Sequence, residues 1–445
     1  MPPTQQRLAF TLLVLFGINF MNFYDRQVLG AVAEPLRKAL SLEDDDIGWL
    51  GTAFILLYAV VGLPFGRWAD LGRRTWILAG GVTVWSLLTA ASGLAWNFTS
   101  LFVARLGVGV GEASCAPAAN SLLGDLFPSG TRARAISVFM LGLPLGLGAS
   151  LIVSGYLAHH VDWRVAFFVA ALPGLALGVL SLWIPEPARG AAERHNIGAA
   201  RREGSPLLLV LRIPTMWWII LSGALHNFNM YALGTFLSPY LTRWHGLDVA
   251  RAGLISGVVY GIVGAVGILL GGWACDALVH RRISGRLEVS TLALALSAPC
   301  IFLALQQPAG AFWSFSAWML PGCMLLYVYY SGVYATIQDI VEPSLRGTAM
   351  ALYFCAMYLL GAALGPVATG WLSKHFTLRA MAAEGADVIT DSARAVGLHD
   401  AMYIVPVLGV ALAAVLAAGS RTVAKDHADL ERWLAAQSAR APEPA

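Results

Sequence analysis

The stretch LLVLFGINFMNFYDRQVLGAVA, residues 12–33, decides the fold class of this chain. It is apolar over a length that crosses the hydrocarbon core of a bilayer, which is about 30 Å thick. Two adjacent charges, Asp25 and Arg26, stand inside it. A charge at membrane depth costs about 2.5–3.5 kcal/mol on insertion scales and persists where it pairs inside a helix bundle or lines a wet cavity. The stretch therefore predicts a transmembrane helix that forms part of an ion or substrate pathway.

The composition of the whole chain extends this prediction. Of the 445 residues, 58% are hydrophobic and 12% are charged, whereas a soluble domain is about 25% charged. About twelve apolar stretches are long enough to cross a membrane, which predicts an all-α membrane protein. The predicted spans, numbered 1 to 12 in chain order, are 8–34, 47–68, 75–95, 99–122, 133–158, 164–184, 214–241, 249–274, 287–306, 311–338, 347–373 and 399–420.

The spans fall into two halves that are separated by a polar connection. We predict an N-terminal bundle at residues 1–184, a cytoplasmic linker at 185–213, a C-terminal bundle at 214–420 and a cytoplasmic tail at 421–445. The linker is basic and rich in glycine and alanine, which is typical of a connecting segment. The tail is polar with one short predicted helix around 429–437, and we expect it to lie at the surface.

Two local patterns recur at matching places in the two halves. GRWAD at Gly66–Asp70 and GWACD at Gly272–Asp276 end spans 2 and 8. An aspartate and an arginine at equal separation follow spans 4 and 10, at Asp125–Arg132 and Asp339–Arg346. Two such coincidences indicate an internal repeat, in which a central site lies between two halves that rock about it.

The basic residues indicate how the spans are oriented. If both termini are cytoplasmic, lysine and arginine are concentrated in the inner connections, in agreement with the positive-inside rule. We therefore expect a multi-pass monomer in the cell inner (plasma) membrane, with the lipid bilayer as its partner. The basic loops are explained by topology, and the net charge of +3 gives no case for nucleic acid binding.

The cysteines favour neither a metal centre nor a disulfide framework. None of the five shows the spacing of a metal site, and an odd number argues against complete pairing. They are scattered through the spans, where small buried residues are expected. We expect no metal and no cofactor, with a proton as the coupling ion.

Charged residues of spans 1 and 4 have spacings that place them on single helix faces. Asn22, Asp25 and Arg26 share one face of span 1. Arg105 and Glu112 share one face of span 4. At 1.5 Å per residue, Asp25 lies about 13 Å below the outer end of its span, and Arg105 and Glu112 lie about 9 and 20 Å below theirs. The charges are thus at overlapping depths and can meet if the two spans face each other.

Such a cluster has two interpretations. Burial and a nearby arginine act in opposite directions on the proton affinity of a carboxylate, so movement of Arg105 relative to Asp25 would couple proton binding to conformation. Glu112 would then be a relay or a second acceptor. Alternatively, the charges form a static ion pair that holds span 1 against span 4.

Three motifs carry a family resemblance. GRWADLGRR, residues 66–74, resembles the inner-loop signature of the major facilitator superfamily, although it is one residue short between Asp70 and its GRR end. MNFYDRQVLG, residues 21–30, and ARLGVGVGEAS, residues 104–114, resemble the spinster family of lysolipid and sphingosine-1-phosphate transporter-like proteins, in a bacterial-type member. The resemblance implies the major facilitator fold, with twelve transmembrane helices in two pseudo-symmetric six-helix bundles. It also implies that the carboxylate of Asp25 carries the proton.

Charges at the inner ends of spans 2 and 8 are the candidates for an inner gate. As the resemblance implies, Asp70 with Arg73 and Arg74 would form a latch that closes when the cavity opens outward. The alternative is a set of solvated loop charges that contribute about 0–1 kcal/mol each. The full candidate set, which includes matching charges of the second half, is Asp70, Arg73, Arg74, Arg132, Asp276 and Arg346.

Polar and aromatic residues inside the spans are the candidates for substrate contacts. Tyrosines of span 10 share one helix face, which suits an amphiphilic ligand but also suits helix packing. His226 in span 7 is either a second titrating group or a hydrogen-bonded structural residue. The candidate substrate contacts are Asn22, Tyr58, His226, Asn229, Tyr327, Tyr330 and Tyr334.

Together these features predict a proton-coupled secondary transporter that works by alternating access. The resemblance implies an amphiphilic, lipid-like substrate, such as a lysolipid or a sphingoid-type molecule. A multidrug or metabolite exporter of the same fold is the main alternative, and a non-transporting membrane receptor is a remote one. No Ser/His/Asp arrangement stands out in the sequence, so we do not expect an enzyme.

Overall fold

The described chain is helical and contains no strand. The structure, a computed structural model, describes residues 5–127, 135, 138–187, 205–279, 281–342 and 345–438. The helices of the first half are α1 (Gln5–Leu40), α2 (Asp44–Leu71), α3 (Arg74–Gly93), α4 (Phe98–Glu112), α5 (Cys115–Leu126), α6 (Gly142–His160) and α7 (Trp163–Ser181). The helices of the second half are α8 (Pro206–Leu211), α9 (Pro214–His245), α10 (Val249–Val258), α11 (Gly264–Val279), α12 (Gly285–Leu305), α13 (Phe312–Ile340), α14 (Arg346–Ala356), α15 (Leu364–Glu384), α16 (Asp391–Met402) and α17 (Ile404–Ser438).

The length and composition of these helices confirm the predicted class of membrane protein. Within the described ranges, eight helical segments are long and apolar enough to cross a membrane. Two of the predicted spans continue through a π-helical turn, at Val259–Val263 between α10 and α11 and at Met357–Ala362 after α14. Such turns add a residue to a helix without ending it, so spans 8 and 11 remain continuous.

Span 4 differs from the sequence-based prediction. The predicted helix 99–122 is two helices, α4 and α5, which meet at Ala113 and Ser114. Pro117, in the first turn of α5, has no main-chain N–H, so it cannot donate to the carbonyl of Ala113 as a continuous helix requires. The break comes directly after Glu112 and places that carboxylate at the end of α4.

Packing divides the chain into two compact units. Unit 1 contains Met1–Asn196, Tyr231–Ile262 and Ala363–Met402, and unit 2 contains Ile197–Met230, Val263–Ala362 and Tyr403–Ala445. Unit 1 thus includes the first half together with α10, α15, α16 and the second part of α9. This division follows the contacts rather than the repeat, and the predicted bundle boundaries at 184 and 214 stay a prediction.

Helices α1, α3 and α5 contribute side chains to one buried apolar cluster in unit 1. Leu15 and Ile18 of α1 belong to one buried cluster with Leu78, Val82 and Trp85 of α3. All five side chains are fully buried. Because lipid tails are as apolar as leucine, close packing rather than water exclusion stabilises such contacts between membrane helices. The cluster places α1 and α3 in one core, beside the buried charges that α1 carries.

In unit 2, the C-terminal helix continues through the predicted tail. α17 runs without a break to Ser438, whereas the sequence predicted a separate short helix at 429–437. Asp426 Oδ2 accepts hydrogen bonds from Thr215 N at 2.9 Å and Thr215 Oγ1 at 2.6 Å. His427 Nδ1 lies 2.8 Å from the main-chain oxygen of Asp339. The described part of the tail therefore packs against α9 and α13.

The contact of Asp426 with α9 gives a prediction about stability. We expect Asp426→Ala to destabilise the protein by about 0.5–2 kcal/mol, because one of the unpaired N–H groups at the start of α9 loses its acceptor. Thermal unfolding of the purified protein in detergent measures this. Asp429→Ala is the matched control, since the pair of Asp429 with Arg432 is exposed and such pairs contribute about 0–1 kcal/mol. Equal melting temperatures for the two variants would contradict the capping role.

Candidate functional site

The charges predicted on spans 1 and 4 lie together inside unit 1. Asp25 and Arg26 of α1 are 1% and 7% exposed, and Arg105 and Glu112 of α4 are 0% exposed. α1 and α4 present these side chains from single faces, as the spacing predicted. These four buried charged side chains form a charged centre within unit 1. Most other buried residues of this unit are apolar.

Arg26 and Glu112 form the ion pair of this centre. Arg26 Nε donates to Glu112 Oε2 at 2.9 Å. The guanidinium also lies over the rings of Phe23, Tyr58 and Phe54, at 4.7, 4.8 and 5.5 Å from the ring centroids. Aromatic faces attract a cation, and the attraction grows when water is excluded. Arg26 is therefore held both by a carboxylate and by an aromatic surround.

Asp25 has a different environment from its neighbour in sequence. Its Oδ2 accepts a hydrogen bond from Thr89 Oγ1 of α3 at 3.1 Å, and its Oδ1 has no hydrogen-bond partner among the residues that the structure describes. Arg105 Nη2 donates to the main-chain oxygen of Asp25 at 3.1 Å rather than to its carboxylate. Within the same part of the chain, the Asp25 carboxylate forms no ion pair.

Two of the candidate substrate contacts lie beside this charged centre. Asn22 is 3% exposed, and its Nδ2 has no hydrogen-bond partner in the described ranges. Tyr58 of α2 is half-buried and covers the guanidinium of Arg26. The structure thus brings Asn22 and Tyr58 next to the charges with which the sequence analysis grouped them.

His226 occupies an aromatic cluster in unit 2. Its ring is stacked on Tyr329, with centroids 4.0 Å apart, and meets Tyr330 edge-on at 4.8 Å. The histidine is fully buried, and neither ring nitrogen has a hydrogen-bond partner among the described residues. The hydroxyl of Tyr329 lies 2.9 Å from Ser222 Oγ and 3.1 Å from the hydroxyl of Tyr353. A polar ring without a partner is thereby enclosed by aromatic rings.

The three tyrosines predicted on one face of α13 are close to one another. The rings of Tyr330 and Tyr334 are 5.6 Å apart, and those of Tyr327 and Tyr330 are 6.0 Å apart. Tyr327 is 2% exposed and packs against α11, where a Cβ added to Gly264 would lie 2.8 Å from its Cζ. Tyr327 thus packs closely against Gly264, and the other two rings extend the cluster around His226.

Asn229 binds a neighbouring helix. Its Nδ2 donates to the main-chain oxygen of Val405, in the first turn of α17, at 3.1 Å. The side chain is 1% exposed. This bond connects α9 to α17, and a substrate contact by Asn229 stays a prediction.

The candidate inner gate is only partly described. Arg73 is exposed and lies over Trp76, whereas the side chain of Arg74 is 1% exposed and pairs with Asp125 and with Glu186, the latter at 2.7 Å. In the second half, Arg286 pairs with Asp339. The side chains of Asp70, Arg132, Asp276 and Arg346 lie outside the described residues. Asp125 and Asp339, the aspartates of the predicted repeat, thus have equivalent partners in the two halves.

Glu186 connects the start of the linker to α3. Burial raises the pKa of its carboxyl, but hydrogen bonds from Thr75 N, Arg74 Nε and Thr75 Oγ1 outweigh burial and hold the pKa below its usual value. Because the folded pKa is the lower one, this contribution to stability is present above the unfolded pKa and is lost as the pH falls through the folded value. The ionised Glu186 therefore fixes residues 186 and 187 beside the first turn of α3 near neutral pH.

Comparison with known proteins identifies the family. The family model of the Major Facilitator Superfamily matches residues 15–366 and 219–426 of this chain. Protein spinster homolog 1 of Mus musculus is 30% identical over 393 residues, which cover 81% of this chain and 72% of the relative. The chain belongs to the spinster family of the major facilitator superfamily.

Two further relatives are similar to this spinster-family chain over most of its length. The MFS-type efflux pump of Mycolicibacterium smegmatis is 29% identical over 383 residues, which cover 82% of this chain and 84% of the relative. A crystal structure of a bacterial homolog to the human lysosomal transporter Spinster, in an inward-facing and occupied conformation, has a TM-score of 0.84 and 27% identity, and covers 95% of this chain and 99% of that one. The chain therefore has the major facilitator fold, and it is a multi-pass transporter and not an enzyme.

Several residues of these two clusters were not predicted from the sequence. Thr89 is one of several threonine and serine residues of span 3, so no signal in the sequence singled it out as a partner of Asp25. Tyr329 and Tyr353 were not singled out either, because Tyr329 does not share the face of the other tyrosines of α13 and Tyr353 stands on α14. Their hydrogen-bonded hydroxyls connect α13 and α14 inside unit 2.

Proposed function

We propose that this spinster-family transporter is a proton-coupled secondary transporter, that it works by alternating access, and that Asp25 carries the proton. The observation that carries the proposal is the division of roles in the charged centre. Arg26 and Glu112 neutralise each other at 2.9 Å, while the carboxylate of Asp25 has a hydroxyl donor and no ion pair in the described chain. Protonation of Glu112 would break an ion pair, whereas protonation of Asp25 would not.

The position of Arg105 provides a means of coupling the proton to conformation. Its guanidinium reaches the main-chain oxygen of Asp25 at 3.1 Å, and its Nε and Nη1 have no hydrogen-bond partner within the described ranges. A small movement of α4 relative to α1 would bring these donors to the carboxylate. An ion pair formed in one conformation and absent in the other makes proton release depend on that conformation. Glu112 then serves as the counter-charge of Arg26 and as a second acceptor.

For the substrate, we propose an amphiphilic, lipid-like molecule such as a lysolipid or a sphingoid-type lipid. Aromatic side chains with polar tips suit a molecule that has both an apolar chain and a polar head. The relative of known structure is a bacterial homolog of the human lysosomal transporter Spinster. The candidate contacts are Asn22 and Tyr58 in unit 1, and His226, Asn229, Tyr327, Tyr330 and Tyr334 in unit 2.

A multidrug or metabolite exporter of the same fold is the second candidate. The Mycolicibacterium smegmatis relative named as an MFS-type efflux pump aligns over a similar share of this chain. A receptor that binds without transport is a remote third candidate. Several further expectations also remain proposals: a monomer in the plasma membrane, cytoplasmic termini, no cofactor other than the proton, and the inner gate.

Uptake of labelled lysophospholipid into sealed proteoliposomes tests the proposal. We expect uptake to depend on an imposed pH gradient and to be competed by other single-chain lipids. Equal competition by unrelated cationic drugs would favour the exporter. Binding to the purified protein without accumulation in sealed vesicles would favour the receptor and contradict transport of this lipid.

A further inference from the structure

Thr89 of α3 contacts the charged centre from a third helix, beside α1 and α4. It is 0% exposed, and its Oγ1 donates to Asp25 Oδ2 at 3.1 Å. Trp85, one helical turn earlier, belongs to the apolar cluster of unit 1 and is also fully buried. A β-branched side chain such as threonine has few rotamers in a helix. The hydroxyl of Thr89 therefore approaches Asp25 from a rigid part of the core.

Thr89 differs from other hydroxyl residues of the described helices in the group that it binds. Serine and threonine inside a helix commonly donate to a main-chain oxygen of the preceding turn. Thr11, Ser92 and Thr336 do so, with acceptors four residues earlier at 2.8, 2.9 and 2.8 Å. The hydroxyl of Thr89 donates instead to a carboxylate of another helix, 64 positions away in the sequence. This acceptor indicates a role toward Asp25 rather than toward the backbone of α3.

The two oxygens of the Asp25 carboxylate have different environments. Oδ2 accepts the hydrogen bond from Thr89, whereas Oδ1 has no hydrogen-bond partner among the described residues. A protonated carboxyl group has one O–H and one carbonyl oxygen, and the carbonyl oxygen still accepts hydrogen bonds. When the proton is on Oδ1, Oδ2 is the carbonyl oxygen and the bond from Thr89 persists. This hydrogen bond therefore fits both protonation states of Asp25.

The charged neighbours of Asp25 are not suited to hold it in both states. Arg105 reaches the main-chain oxygen of Asp25 at 3.1 Å, and Arg26 donates to Glu112 at 2.9 Å. A guanidinium carries a permanent positive charge, so it favours the ionised carboxylate over the neutral acid. A threonine hydroxyl is neutral and can donate to either form. Within the described chain, Thr89 is therefore the side chain that orients this carboxylate without opposing its protonation.

We propose that Thr89 is a positioning residue of the proton site, which holds Asp25 Oδ2 so that the proton binds to and leaves from Oδ1. On protonation Oδ1 gains the hydrogen and the carboxylate becomes the neutral acid, while the hydroxyl of Thr89 keeps its own hydrogen and remains the donor. The terminal torsion of aspartate is broad, so without Thr89 the two oxygens would have no fixed positions. This inference rests on the proton-carrier role proposed above for Asp25 and specifies the atom that carries the proton.

Infrared spectroscopy of the full-length protein in proteoliposomes tests which oxygen carries the proton. The C=O stretch of protonated Asp25 is the band that appears on acidification and is absent from Asp25→Asn. In Thr89→Val, which has a similar shape but no hydroxyl, we expect this band at higher frequency, because its carbonyl oxygen has lost a hydrogen bond. Thr89→Ser keeps a hydroxyl and should return the band to its wild-type frequency.

Gradient-driven uptake of lysophospholipid by the same preparations tests whether this position matters for transport. We expect Thr89→Val to lower the initial rate by about threefold to tenfold, which corresponds to the loss of one hydrogen bond. Thr89→Ser should restore most of the rate. Thr11→Val is the matched control, because Thr11 is also fully buried but donates to its own helix. We expect this control to transport at the wild-type rate.

The two measurements separate this inference from the proposed function. An unshifted band in Thr89→Val would overturn the assignment of the proton to Oδ1 and leave Asp25 as the proton carrier. Uptake by Thr89→Val equal to that of Thr11→Val would overturn the positioning role, even with a shifted band. If Asp25→Asn lost no band, the proton-carrier role would be wrong and this inference would fall with it. If the wild type did not transport this lipid, the infrared band would still decide which oxygen is protonated.

Discussion

Asparagine in place of Asp25 is expected to remove uptake that is driven by a pH gradient, lowering the initial rate by about an order of magnitude or more. The replacement keeps the size of the side chain and an oxygen that can accept the hydrogen bond from Thr89 Oγ1, which lies 3.1 Å from Asp25 Oδ2. It cannot bind or release a proton near neutral pH. Initial rates of lysophospholipid uptake into sealed proteoliposomes, with and without a gradient, measure the effect.

Exchange of substrate without a gradient separates coupling from binding. The total substrate concentration is made equal on the two sides of the membrane, and only one side carries labelled substrate. Movement of the label then requires only alternation of access. We therefore expect Asp25→Asn to retain this exchange while it loses accumulation. Loss of both activities would mean that Asp25 serves the fold or the binding of substrate, and the proton-carrier role would be wrong.

Asp248→Asn is the matched control for this substitution. Asp248 caps the N-terminus of α10 by accepting a hydrogen bond from Arg251 N at 2.8 Å, and asparagine caps a helix about as well as aspartate. Its ion pair with Arg251 involves an exposed side chain and contributes little. We expect uptake by this variant to match the wild type in rate and in gradient dependence. Gradient-dependent uptake retained in Asp25→Asn would contradict the proposed mechanism.

Spacing along single helices predicted which charges share a helix face and that they could meet if the two helices face each other. Asp25 and Arg26, and Arg105 and Glu112, stand on faces that periodicity alone identifies. This spacing did not reveal that Arg26 pairs with Glu112, or that Arg105 donates a hydrogen bond to a main-chain oxygen of α1. Those details depend on the rotation of each helix about its axis, which is set by packing against neighbouring helices and has no period in the sequence.

The ion pairs that join α1 and α2 to α9 and α15 could not be predicted from the sequence, for a related reason. Arg243 and its partner Glu34 are separated by 209 positions, and Lys374 and Asp45 by 329. Contacts between distant segments leave no local pattern, and each residue by itself is typical of a solvated loop charge. The continuous α17 was not predicted because residues 420–432 are mostly polar, so the apolar pattern that indicates a membrane helix stops near residue 419.

The second large effect concerns stability and the pair of Arg26 with Glu112. We expect Arg26→Gln to destabilise the protein by about 3–5 kcal/mol, because it leaves the carboxylate of Glu112 buried without its cation. Both partners are almost fully withheld from solvent, at 2% and 0% side-chain exposure. Thermal unfolding in detergent, ranked against Arg251→Gln as the exposed control, measures the difference. Arg251 has 75% side-chain exposure, so its replacement is expected to change stability by about 0–1 kcal/mol.

The two partners are not expected to be equivalent. In Glu112→Gln, Arg26 keeps its contacts with the faces of Phe23 and Tyr58, and such contacts stabilise a buried cation by about 2 kcal/mol. Glu112→Gln should therefore destabilise less than Arg26→Gln. In the double variant neither position of the pair carries an unpaired charge, so its destabilisation should fall well below the sum of the two single effects. Additive effects would mean that the pair is not an energetic unit, and the argument that assigns the proton to Asp25 rather than Glu112 would lose its basis.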